Sequence, residues 1–159
     1  MGNVILTIYL LIKVVYPSND IKSIQAYNIM VENAFQSYYF LDIGYELTTA
    51  DSLADIAVFP EVGFGNHRIL GYTNGTIIQN PKFYGNCEIL LSVNLDSIHK
   101  TNVFIHELYH AFIGEYHNMY DPSSLMYPTY NGTNTELSRY DTLYIRSNFL
   151  IDYTRIKLY

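Results

Sequence analysis

From residue 4 to residue 15 the chain alternates. Val4, Leu6, Ile8, Leu10, Ile12 and Val14 are aliphatic, and the positions between them include Thr7, Tyr9 and Lys13. A period of two predicts a β-strand buried on one face. Pro17-Ser18-Asn19-Asp20 then offers helix-capping side chains. Ile24, Tyr27, Val31, Ala34, Phe35 and Tyr38 follow at helical spacing, which predicts one long amphipathic helix. Apolar runs at 43–47, 54–59 and 88–93 read as short strands. Gly63, Gly65, Gly71 and Gly75 mark a turn-rich middle with a strand near 68–72.

Farther on, Thr101 or Asn102 can cap a helix over 103–113, with Gly114 ending it in a left-handed conformation. Residues 115–133, with Pro122, Pro128 and Gly132, read as irregular. Ser138-Arg139-Tyr140-Asp141 has the form of a capping box opening a last helix to about Phe149. The order of elements predicts an α+β domain over residues 1–150. Its sheet is twisted, mostly parallel and of about five strands. A long N-terminal helix, a second helix at 103–113 and a C-terminal helix accompany it. Residues 151–159 form a short tail with no assigned role.

The helix at 103–113 carries the chemistry. It contains His106-Glu107-Leu108-Tyr109-His110, with His117 beyond Gly114 and Met126 nine residues later. Two imidazoles four residues apart lie on one helix face, about a turn from each other, and can bind one zinc ion. His117 supplies a third ligand and leaves a fourth position open, as in catalytic zinc sites. Glu107 is placed to hold and deprotonate a water there. The competing reading is a chance pattern on an ordinary helix, with His117 a surface histidine.

Composition narrows the setting. The formal net charge is -6 and no Lys/Arg cluster occurs, so nucleic acid is not an expected partner. The first apolar run has no basic lead-in and no small-residue cleavage site, and Lys13 interrupts it. It is therefore read as a strand rather than a signal peptide, and nothing is long enough to span a membrane. The compartment stays open. Cys87 is the only cysteine, so no intrachain disulfide forms, and it is expected as a buried small hydrophobe. His67 and His99 have no partner at ligand spacing and read as loop histidines.

The text HELYHAFIGEYH (106–117), Asp121-Pro122 and Ser124-Leu125-Met126-Tyr127-Pro128 resembles the zinc motif and methionine turn of the metzincins, within them the matrixin catalytic domain. Weaker similarities run along the chain, in LTIYL, VENAFQSY (31–38), ADIAVF (54–59) and LSRYDTLYI (137–145). The resemblance implies a zinc endopeptidase. Its metal ligands would be His106, His110 and His117, its general base Glu107 and its methionine turn Met126. Pro128 and Tyr130 would wall the pocket for the side chain after the scissile bond. An extended peptide substrate would lie along the edge strand near 68–72, and the protein would be a monomer.

Relative to the family pattern, one residue is added between His110 and Gly114, which puts the reach of His117 in question. Tyr72 stands where the family has a histidine, and the loop at Asn94 and Asp96 is poor in carboxylates. Neither calcium nor a second, structural zinc is therefore expected. The alternative to an enzyme is a zinc-containing peptide-binding module. Glu107 argues against it, because binding zinc does not require that carboxylate.

Overall fold

The computed structural model describes residues 8–50, 54–62, 69–76 and 87–149. The described residues form an α+β fold of five strands and three α-helices. In chain order these are β1 (Ile8–Val14), α1 (Ile21–Gln36), β2 (Ile43–Leu47), β3 (Ile56–Glu61), β4 (Gly71–Asn74), β5 (Cys87–Ser92), α2 (Ser97–Ile113) and α3 (Arg139–Asn148). The strands make one sheet in the order β2-β1-β3-β5-β4. β2, β1, β3 and β5 run parallel, and β4 pairs antiparallel with β5 at the edge.

The alternation in β1 works as its pattern implies: Leu10, Ile12 and Val14 are buried, while Leu11 and Lys13 are only partly covered. Ile56 and Val58 of β3 and Cys87, Ile89 and Leu91 of β5 join them in one core. α1 adds Tyr27, Val31, Ala34 and Phe35 to it. From α2, Phe104, Leu108 and Phe112 are all fully buried in that core. Their spacing of four residues makes a ridge down one helix face. His106 and His110 fall on the opposite face. Burying such side chains contributes about 1.5–3 kcal/mol each, so the core anchors the helix and thereby aims its polar face.

Several boundaries differ from the sequence expectation. α2 begins at Ser97, not near 103, because Asp96 caps it by accepting from the His99 amide at 2.9 Å. Thr101 and Asn102 lie inside the helix. His99, read as a loop residue, sits in its first turn, 2.6 Å from the Asp96 carboxylate. β4 occupies Gly71–Asn74 instead of 68–72. β3 extends through Pro60, whose missing N–H is tolerated at that strand's C-terminal end. Tyr38 follows α1 and is not part of it, yet is fully buried, donating its hydroxyl to the Ile105 carbonyl at 2.6 Å.

Gly114 does end α2, with φ +84° and ψ −153°. That is not the left-handed cap expected but an extended region that essentially only glycine enters. The Ser138–Asp141 capping box is present in both directions. Residues 4–7 of the first predicted strand, Gly63, Gly65, His67 and the tail 151–159 lie outside the described residues. Among the described residues, no helix is long and apolar enough to cross a membrane.

Candidate metal centre

Helical spacing brings His106 and His110 together with ring centroids 4.7 Å apart and their Nε2 atoms 3.0 Å apart. After Gly114 the chain turns back and sets His117 beside both, at centroid distances of 5.2 Å and 4.9 Å. One nitrogen from each of the three rings lies within 4.8 Å of the others. The added residue before Gly114 therefore does not keep His117 from the cluster. It lengthens α2, and the Gly114 amide closes the last turn on the His110 carbonyl at 2.7 Å.

The donor chemistry fits one divalent ion. His106 Nδ1 faces the Leu125 carbonyl at 2.7 Å and His110 Nδ1 faces the Gly114 carbonyl at 3.0 Å. Carbonyls only accept, so both rings carry hydrogen on Nδ1 and present the Nε2 lone pair. Two nitrogens on a tetrahedral zinc lie roughly 3.3 Å apart, close to the separation found here. Burial lowers the pKa of all three imidazoles. His106 is brought down to about 4, with the neighbouring His110 adding to the burial effect and the Leu125 carbonyl opposing it. The rings are thus neutral at pH 7, the protonation state a metal requires.

Glu107 points to the same region from the next position on α2 and is only 6% exposed. Burial raises its carboxyl to about 7, against the lowering effect of the Thr73 hydroxyl, which donates to Oε2 at 2.6 Å. A groove of about 1190 Å³ contains His106, Glu107, His110 and His117 on one side. β4 lines it, and so do Pro128, Thr129 and Tyr130. Tyr130 is held there by Asn102 of α2, whose amide donates to its hydroxyl at 3.1 Å, and by an edge contact with His99. Met126 is fully buried, one residue after the carbonyl that orients His106.

The structure adds residues that sequence reasoning missed. Asp141, assigned only to the α3 cap, is completely buried and accepts from four groups. Ser124 Oγ (2.5 Å) and the Ser138 amide (2.8 Å) reach Oδ2. Asn118 Nδ2 (3.0 Å) and the Tyr116 hydroxyl (3.2 Å) reach Oδ1. Ser124 in turn accepts from the Met126 amide, and the Asn118 amide donates to the Met126 carbonyl at 2.8 Å. One carboxylate thus ties the stretch after His117 to the turn at Met126. Buried Asn134 fastens the same turn from the other side, donating to the Ser124 and Thr129 carbonyls. The Ser138-x-x-Asp141 spacing signalled a cap but no long-range contact. Thr73 lies just past the strand expected near 68–72, and no pattern in the sequence pointed to its contact with Glu107.

No family model matches the chain, and no curated protein is significantly similar to it.

Proposed function

We propose that this protein is a zinc-dependent endopeptidase of the metzincin type, resembling a matrixin catalytic domain. One observation carries the reading: three neutral imidazoles and a buried carboxylate converge in one open groove beside an edge strand. His106, His110 and His117 would hold the metal. When bound, zinc supplies Lewis acidity toward a carbonyl oxygen and acidifies water.

The chain's own groups do the rest. Glu107 takes a proton from the attacking water and returns it to the amine nitrogen as the peptide C–N bond breaks. A carboxyl brought to about 7 by burial suits both halves of that exchange. Among the described residues, β4 leaves one main-chain edge unpaired within the sheet, against which an extended peptide can form hydrogen bonds. Pro128 and Tyr130 receive the side chain following the scissile bond. Met126 gives the imidazoles an apolar floor. A peptide-binding module would use the same groove but would have no need to bury Glu107 against Thr73.

The test is cleavage of an unbiased peptide library by zinc-loaded protein, with Glu107→Ala alongside. The reading predicts cutting by the wild type and a loss of about 100- to 10,000-fold in the variant, with zinc retained. Zinc binding by both without cleavage by either would leave the binding module in its place.

A further inference from the structure

Gly71 and Thr73 lie two residues apart on β4, so both positions face the same side of the strand. That side packs on α2 at Glu107. Position 71 has no room for a side chain. A Cβ there would lie 2.7 Å from Val103 Cγ1, 2.8 Å from Glu107 Cγ and 2.9 Å from Glu107 Oε1. At position 73 the single hydroxyl hydrogen is shared between two acceptors of Glu107, Oε2 at 2.6 Å and the main-chain oxygen at 2.9 Å. Among the described residues it is the one donor to that carboxylate.

We propose that Thr73 is a positioning residue for Glu107: its hydroxyl pins Oε2, and glycine at 71 leaves Oε1 clear to take and release the proton. A glutamate side chain has three rotatable bonds, and a helix backbone alone does not select one carboxylate orientation. The contact with the main-chain oxygen fixes the hydroxyl relative to α2, so Thr73 measures the carboxylate against the helix that carries it. The proton passes from water to Oε1 and from Oε1 to the leaving amine. Oε2 keeps its hydrogen bond throughout, so nothing around the carboxylate has to reorganise. The inference rests on the endopeptidase reading above.

The experiment compares Thr73→Val, which keeps the shape and removes the hydroxyl, with Thr73→Ser, which keeps the hydroxyl. In the zinc-loaded protein, Thr73→Val should lower kcat about 10- to 100-fold with KM within about twofold. Thr73→Ser should recover most of that loss, and zinc affinity should not change in either. In metal-free protein labelled with ¹³C at the glutamate carboxyls, the Glu107 resonance should move in Thr73→Val and return in Thr73→Ser. Should Thr73→Val fold poorly, Gly71→Ala provides a second route, because it crowds Oε1 and should depress kcat with Thr73 intact. Wild-type kcat in Thr73→Val, or equal loss in Thr73→Val and Thr73→Ser, overturns the inference. If Glu107→Ala still abolishes cleavage in that case, the endopeptidase reading survives. A wild type that cuts nothing overturns both.

Discussion

The two halves of the candidate metal centre are held by different means. His106, Glu107 and His110 ride on α2, whose direction is set by the buried ridge of Phe104, Leu108 and Phe112. His117, Met126 and Tyr130 belong to a stretch between α2 and α3 that contains neither helix nor strand. Polar side chains hold that stretch in place, chiefly through the four hydrogen bonds converging on Asp141. Helical spacing makes the first half robust, since many small apolar contacts share the task. The second half concentrates its order in a few buried polar groups, each costly to lose. The three imidazoles that could hold a metal come together where the two meet, so damage to either half should register there in its own way.

The sharpest way to break this contrast is Asp141→Ala. Leaving four donors without their acceptor should cost about 1–3 kcal/mol for each that stays buried and unpaired. A core truncation such as Ile56→Ala should cost a comparable 2–5 kcal/mol. Denaturant unfolding would measure both, and chelator competition would give the zinc affinity of each folded protein. Only Asp141→Ala should weaken zinc, by at least about tenfold, since only it frees the stretch bearing His117. Equal zinc affinity in the two variants would end the claim that Asp141 organises the site.

The helix half can be separated by pH in metal-free protein. Glu107 is raised from 4.5 to about 7, so its contribution is full below about 4.5 and is lost as pH rises through 7. His106 acts in the opposite sense. Its folded value of about 4 lies below the usual 6.5, so its contribution is present above 6.5 and is lost as pH falls through 4. Without metal, Glu107→Gln should therefore be more stable than wild type at pH 7.5, by about 3 kcal/mol at most, and the gap should close toward pH 4.5. Parallel stability curves for the two proteins would count against a carboxylate whose burial outweighs its hydrogen bond from Thr73.

Gly114→Ala tests the joint between the halves, with a smaller effect. Nothing lies within 4 Å of the added Cβ, so any loss comes from the backbone conformation at φ +84°. The expected cost is about 1–3 kcal/mol, accompanied by weaker zinc binding as the chain leading to His117 is redirected. An unchanged thermal midpoint with unchanged zinc affinity would show that the turn tolerates other conformations.

The same division explains what could be read from the sequence. His106, Glu107 and His110 were legible because helical periodicity is local, and β1 and β2 were legible for the same reason. The start of α2 was misplaced because Asp96, Thr101 and Asn102 are all plausible caps in isolation. In the structure the cap is Asp96, whose carboxylate accepts from the His99 amide. His117 joined the cluster despite the added residue, an outcome that depends on the unusual backbone of one glycine. The long-range roles of Asp141 and Thr73 could not be found by spacing. Their partners lie 17 and 34 residues away in the chain, and only the assembled fold brings them together.

X-ray absorption at the zinc edge of the reconstituted protein tests the meeting of the two halves most directly. One zinc per chain with three imidazole nitrogens at about 2.0–2.1 Å and one oxygen ligand is the predicted result, falling to two imidazoles in His117→Ala. A wild-type spectrum with only two imidazoles, unchanged by His117→Ala, would show that the loop half does not reach the metal and would contradict the account.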